Sequence, residues 1–330
     1  MDKNILIFRT DRIGDLIVTC PTIITIKKYF KNPKITLISS NKNFEYAKSL
    51  NIFDQIYKFP KNNFFHKIIF IYKLTKKKFD YIFVFDGKDR SILSSTLIKS
   101  RFKVALKSKD KLYYKNLKIK FFEDNGETNL NTVFQKMLNY TNIDVKIDNY
   151  QFLNNKKDNN FSSQINIKNY IQIHLDEKWT NDMYIKSYTS IYPSFNEFVS
   201  FLNKISEKNH VLITTGLHDF QLINDLKNKY FDRINNKIFK MNNNSNSIFL
   251  IYKPNFEDLE SLLRNTKTLV SCHGAITHAA NSFNIKNVDI FERNKEGFYR
   301  KFTSYLKNYN PVYRSNFNVL SKNILNIIDE

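Results

Sequence analysis

Seven residues near the start of the chain, "RTDRIGD" (9–15), hold two arginines, two aspartates and a glycine directly after the apolar run "NILIF" (4–8). A glycine where a strand hands over to a helix allows a tight turn. The first helical N–H groups that follow are unpaired and attract anions. A carboxylate in that turn, Asp15, has the chemistry of a general base acting on a hydroxyl. Its plain counterpart is charge complementarity with the helix N-terminus. Arg9, Asp11, Arg12 and Gly14 complete the group, either holding an anion or positioning Asp15. A second group, Asp86, Gly87, Lys88 and Arg90, follows "YIFVF" (81–85), where arginine suits a phosphate or carboxylate. The alternative is an Asp86–Arg90 pair that braces the loop.

Two further groups lie in the second half. "SCHGAITHAA" (271–280) brings Cys272, His273, Gly274, Ala275, Thr277 and His278 to a strand-to-helix turn. "IHLDEKW" (173–179) brings His174, Asp176, Glu177, Lys178 and Trp179 to a strand end. Trp179 and Tyr184 are candidates to stack on a base or sugar, with core packing as the alternative. His174 and His218 read more simply as structural hydrogen bonders. The set Cys272, His273 and His278 is a weak metal candidate beside a plain structural reading.

The elements that must carry these groups are short continuous apolar runs: 4–8, 34–39, 81–85, 170–175, 210–215 and 287–291. Continuous runs mark strands covered on both faces, hence parallel sheets with crossover helices. Helical patterns intervene, as in "FHKIIFIYKLTKK" (65–77), "FNEFVSFLNKIS" (195–206) and "FEDLESLLRN" (256–265). Pro21 is expected to set the first turn of the first helix apart as a separately angled piece. The polar stretch 154–169 reads as a linker between two α/β domains, 1–160 and 161–330, with the last helix a candidate to pack back on the first. The chain has six glycines where average usage of about 7 % would give roughly 23. Four of them, Gly14, Gly87, Gly216 and Gly274, sit at or just after strand ends, two per half, which is where open α/β sheets bind ligands.

With 330 residues and 42 % hydrophobic content the chain can bury two cores. Two cysteines are too few for a disulfide framework. No apolar run approaches the roughly 20 residues that span a bilayer, and the charged N-terminus lacks the centre of a signal peptide, so a cytoplasmic protein is expected. The net charge of +21 points toward anionic partners. In a chain rich in Lys, Asn, Ile, Phe and Tyr, however, much of it reads as codon bias, and dedicated nucleic-acid binding is not expected. Gly-x-Gly-x-x-Gly, Gly-Lys-Ser/Thr, Gly-x-Ser-x-Gly and Asp-x-Asp are all missing from the sequence. Dehydrogenase, P-loop and hydrolase readings therefore lose their usual support.

"ILIFRTDRIGDLIVTCPTIITIKKYF" (5–30) resembles the N-terminal signature of glycosyltransferase family 9, the ADP-heptose:lipopolysaccharide heptosyltransferases. "FDYIFVFDGKDRS" (79–91) resembles the later N-domain strand of that family and its basic loop. Residues 262–291 resemble the donor-side signature, with His273, Gly274 and Ala275 where Asp, Thr and Gly are usual and His278 on the family histidine. The resemblance implies a GT-B fold: two Rossmann-like domains with parallel sheets facing across a cleft. It also implies inverting, metal-independent transfer with no cofactor beyond the nucleotide-sugar substrate, ADP-heptose being one candidate. Asp15 would be the general base, with Arg9, Asp11, Arg12, Gly14, Asp86 and Arg90 on the acceptor side. Lys178, in competition with Lys186, would face the donor with Gly216, His273, Gly274, Ala275, Thr277 and His278, and His273 itself is a candidate contact for the diphosphate. The implied acceptor is a lipid-linked or lipopolysaccharide-core glycan, with peripheral contact at an anionic inner membrane. A non-catalytic basic binder on the same fold, or a GT-B epimerase, are the alternatives.

Overall fold

The structure is a computed structural model; it describes residues 3–61, 63–107, 109–124, 128–180, 188–242 and 246–330. Residue contacts divide it into two compact units. The first is Met1–Phe152 with Gly297–Ser304, and the second is Leu153–Glu296 with Tyr305–Glu330.

In the first unit, strands β1 (Asn4–Phe8), β2 (Lys34–Ser39), β3 (Gln55–Lys58), β4 (Phe79–Val84), β5 (Ser100–Lys107) and β6 (Lys120–Glu123) form one sheet in the order β3-β2-β1-β4-β5-β6. Every pairing in it is parallel. Helices α1 (Ile13–Tyr29), α2 (Phe44–Ser49), α3 (Phe64–Thr75) and α4 (Asp89–Leu97) connect the first five strands, a 3-10 turn (Leu112–Asn116) leads to β6, and α5 (Leu130–Tyr140) follows it. The strand order reverses between β1 and β4, and that switch point is where an open α/β sheet leaves a crevice at its carboxyl edge. Both helices that start beside it, α1 and α4, follow directly from these two strands.

The expected break at Pro21 does not occur: α1 runs through it for 17 residues. An interior proline costs about 3 kcal/mol or more. Here the residues around it, from Leu16 to Ile23, are all buried, and that packing outweighs the lost backbone bond.

The second unit holds β7 (Tyr170–Leu175), β8 (Val211–Thr215), β9 (Asp232–Arg233), β10 (Ile238–Asn242), β11 (Ser247–Ile251), β12 (Thr266–Cys272), β13 (Lys286–Phe291) and β14 (Tyr309–Tyr313). Their order is β14-β13-β12-β7-β8-β11-β10-β9. The sheet is parallel except at one edge, where β10 runs antiparallel to β9 and β11. Its switch point lies between β7 and β12. Alternate residues of β7, β8 and β11 feed different cores: Ile171, Ile173, Val211, Ile213 and Ile248 one face, Tyr170, Leu212 and Phe249 the other. That two-sided burial is why these runs are continuously apolar.

Helices α6 (Phe195–Ser206), α7 (Gln221–Lys229), α8 (Phe256–Leu263) and α9 (Ala275–Ser282) flank this sheet. Next comes α10 (Glu296–Thr303), most of which belongs to the first unit, where Lys301 meets Asp124 at 2.8 Å. The final helix α11 (Phe317–Asp329) instead buries Phe317, Leu320, Ile324 and Ile328 in the second unit's core. By residue contacts, most of α10 belongs to the first unit and α11 to the second.

The polar stretch 154–169 is no free linker. Phe161 and Ile165 are buried against the second sheet. The polar side chains around them pair with α8, which buries Asp258, Glu260 and Ser261. Asn159 donates to Asp258 at 3.0 Å, the Ser162 N–H donates to Ser261 at 3.0 Å, and Lys156 meets Glu260 at 2.5 Å with both side chains under a tenth exposed. Removing one partner of a buried ion pair strands the other charge, a loss of about 3 kcal/mol. Lys156→Ala should lower unfolding stability by about that much in urea titration, whereas a lysine on a loose linker would change it by less than about 0.5 kcal/mol.

Candidate functional site

At the switch point of the first unit, Arg9 leaves β1 and is only 3 % exposed. It donates to the Phe85 carbonyl at the end of β4, to Asp11 at 3.1 Å and to the Asp15 carbonyl at 2.9 Å. Asp86 accepts from the Thr10 N–H (3.1 Å) and hydroxyl (2.6 Å), the Lys88 N–H (3.1 Å) and the Ser91 hydroxyl (2.7 Å). Four donors satisfy its carboxylate, which acts as a brace between the two strand ends. Arg90 also reaches Thr10, at 3.0 Å, and lies over the Phe59 ring at 5.3 Å. Asp86 and Arg90 therefore act through Thr10 and not as the pair the sequence suggested.

Asp11 is held by Arg9 on one oxygen and by Lys88 on the other. Burial pushes its carboxyl pKa up, Arg9 pulls it down, and the neighbouring Asp86 and Asp15 charges push it up again; the net direction is upward. Asp15 differs. One oxygen accepts the Arg12 N–H at 3.1 Å as a helix cap, and the other faces Arg9 at 3.8 Å, beyond hydrogen-bond range. Its side chain is about a third exposed. Asp11 is thus saturated by cations, while Asp15 makes no hydrogen bond to Arg9 through its side chain, which is partly exposed.

A cavity of about 420 Å³ is lined by Thr10, Asp11, Arg12, Asp15, Ser40, Asn41, Lys42, Phe59, Lys61, Lys88 and Arg90. Of the sequence-chosen residues, Asp11, Arg12, Asp15, Lys88 and Arg90 line it directly. Arg9 and Asp86 stand behind as supports, and Gly14 lies within the first turn of α1. Gly87 takes φ +59°, the left-handed turn that a strand-end glycine permits. Ser40 to Lys42, Phe59 and Lys61 were not foreseen. The first three follow the recognised run 34–39, so the strand end itself was the available signal. Phe59 and Lys61 follow β3, whose sequence "QIYK" carries little apolar pattern.

The second unit repeats the arrangement. Lys178 follows β7 and donates to the His273 carbonyl, at the end of β12, at 3.0 Å, while pairing with Asp176 at 2.5 Å. Burial works to lower the Lys178 pKa, but the Asp176 carboxylate outweighs it and the net direction is upward, so the ammonium stays charged. Gly216 gives Asp176 its room: a Cβ there would lie 2.8 Å from the Asp176 Cβ and 3.0 Å from its Cα. A Cβ on Gly274 would meet the Lys178 ammonium at 2.6 Å.

Gly274 caps α9, its N–H donating to Thr277 at 3.2 Å, and Ala275 opens the helix. Thr277 is fully buried and bonds Asp289 at 3.2 Å. The same carboxylate meets His273 at 2.7 Å and accepts from Tyr309 at 2.8 Å. Asp289, which sequence reasoning missed, thus supplies from β13 a carboxylate to a motif that lacks one. His278 is buried, which drives its pKa well down, and it pairs with Tyr305 at 3.2 Å. Thr277 and His278 are thus both buried and bonded within the second unit. Cys272 contacts Arg314 at 3.8 Å, and burial raises its thiol to about 12. Cys272, His273 and His278 each have a separate partner and do not converge as ligands.

His174 bonds Thr214 at 3.0 Å and is pushed down to about 4 by burial, a neutral structural histidine. Trp179 is fully buried, its indole N–H on the His174 carbonyl at 2.9 Å, so it stacks on no ligand. His218 is exposed beyond β8. Tyr184 and Lys186 lie outside the described residues.

No family model and no curated protein matches the sequence. Solved structures do match in fold. Heptosyltransferase WaaC of E. coli, solved with ADP, is 11 % identical with a TM-score of 0.70 over 99 % of each chain. A glycosyl transferase family 9 protein of Veillonella parvula is 12 % identical, TM-score 0.65, over 99 % of this chain and 89 % of its own. The UDP-GlcNAc 2-epimerase of Methanocaldococcus jannaschii is 13 % identical, TM-score 0.58, over 100 % and 92 %. The chain therefore has the GT-B fold, in a form similar to that of heptosyltransferases.

Proposed function

We propose that the protein is an inverting, metal-independent glycosyltransferase that moves heptose or a related sugar from a nucleotide sugar to a lipid-linked or lipopolysaccharide-core glycan. The observation that carries this reading is Asp15, a partly exposed carboxylate anchored through Arg9 in a basic cavity at a sheet switch point. The Asp15 oxygen takes the proton of an acceptor hydroxyl. The acceptor oxygen then forms its bond to the anomeric carbon as the bond from that carbon to the diphosphate breaks, inverting the centre. Arg12, Lys42, Lys61 and Arg90 suit an acidic acceptor.

On the donor side, the N-terminus of α9 supplies positive charge for the departing diphosphate, with Lys178 beside it, paired to Asp176. His273, oriented by Asp289, stands beside them. Among the described residues no group of three or more His, Cys, Asp or Glu side chains is placed to hold a metal ion. An adenine nucleotide is the first donor to test, because the heptosyltransferase similar in fold was solved with ADP.

Two measurements test this. Asp15→Asn should leave the melting temperature near that of the parent while sugar transfer falls about 10²- to 10⁴-fold, the range for a lost general base; near-normal turnover would remove Asp15 from the mechanism. Thermal-shift screening against ADP-, UDP-, GDP- and CMP-sugars should show one class raising the melting temperature, and Lys178→Met should weaken that shift. Silence across all four sinks the transferase reading. A nucleotide sugar altered with no acceptor present would instead favour the epimerase, whose fold this chain also shares.

A further inference from the structure

Helix α3 (Phe64–Thr75) has two apolar faces where an ordinary surface helix has one. The inner face buries Ile71 and Leu74 in the core of the first unit, with Phe70 packed against it. The outer face leaves Phe64 71 %, Phe65 73 %, Ile68 50 %, Ile69 50 % and Tyr72 59 % exposed. Spacings of i, i+1, i+4, i+5 and i+8 put all five on one stripe. Scattered exposed hydrophobics are normal, but five large ones on three turns of a single helix form a patch that calls for a partner.

Charge decides which partner. Residues 61–78, "KNNFFHKIIFIYKLTKKK", contain six lysines and not one acid. Lys73, Lys76 and Lys78 are exposed, and Lys76 sits over the Tyr72 ring at 4.5 Å. A second copy of the chain docking face to face would bring these like charges together. Exposed Phe, Ile and Tyr bordered by lysines is instead the composition of a helix that lies in the interface of an anionic bilayer. There the rings enter the headgroup boundary and the ammonium groups meet lipid phosphates.

We infer that the outer face of α3 is a membrane-docking surface that seats the first unit on an anionic lipid bilayer. Phe59 and Lys61, which line the cavity at Asp15, lie on the segment leading into α3. Docking would therefore bring that cavity close to the lipid surface. This gives the lipid-linked acceptor of the proposed function a physical route, and in that respect it rests on that reading; the lipid binding itself does not.

Flotation of the full chain with phosphatidylcholine vesicles, with and without phosphatidylglycerol, tests it. The chain should float with the anionic vesicles and lose that association as salt is raised. The triple variant Phe64→Ser/Phe65→Ser/Ile68→Ser and the triple variant Lys73→Gln/Lys76→Gln/Lys78→Gln should each reduce partitioning by about tenfold or more with an unchanged melting temperature. The inference is overturned by absence from anionic vesicles, by equal partitioning to neutral ones, or by full partitioning of the serine variant. Dimers in solution that the serine substitutions dissolve, or RNA binding through the same residues without vesicle binding, also overturn it. No arm uses a sugar substrate, so loss of the transferase reading leaves this result intact, and the reverse also holds.

Discussion

A guanidinium keeps its charge at any pH a protein meets, so burying one obliges its surroundings to answer every donor. Arg9, at 3 % exposure, is that obligation in the first unit. Meeting it ties the end of β1 to the end of β4, pulls the Asp11 loop inward and fixes the first turn of α1. Asp15 occupies its position as a result. Around that knot Thr10 joins Asp86 and Arg90, and Lys88 joins Asp11 and Thr10, so the floor of the cavity is a single connected network. The second unit meets the same geometric problem with a lysine: Lys178 spans from β7 to the end of β12 and is neutralised by Asp176. Each sheet thus closes its switch point with a cation held to the carbonyl of the opposite strand end.

How much of this could be read from the sequence depended on whether the cause was local. Runs buried on both faces show themselves, and 4–8, 34–39 and 170–175 are strands over those same residues. Strands nearer the edges of the first sheet do not. "SRFKVALK" in β5 and "KFFE" in β6 carry charge because part of each strand faces solvent. The group 9–15 was legible because its partners sit within a few residues of one another. Asp289 was not, since nothing in "NVDIF" separates a carboxylate that holds His273, Thr277 and Tyr309 from one that merely sits in a strand. The stretch 154–169 misled for a related reason: its polar residues are matched by polar residues on α8 about a hundred positions later.

The lysine excess also divides once partners are visible. Lys156, Lys237 and Lys301 neutralise Glu260, Asp258 and Asp124, carboxylates that are largely withdrawn from water. These lysines belong to the folding problem, whatever codon usage supplied them. The lysines on the outer side of α3 belong to the surface.

The bond between His273 and Asp289 makes two positions on neighbouring strands behave as one. Asp289 sits 2.7 Å from the His273 Nδ1. A chain altered at position 273 alone, to an acidic residue, would set two carboxylates against each other with Tyr309 and Thr277 left to share between them. An acidic residue at 273 therefore calls for a compensating change at 289.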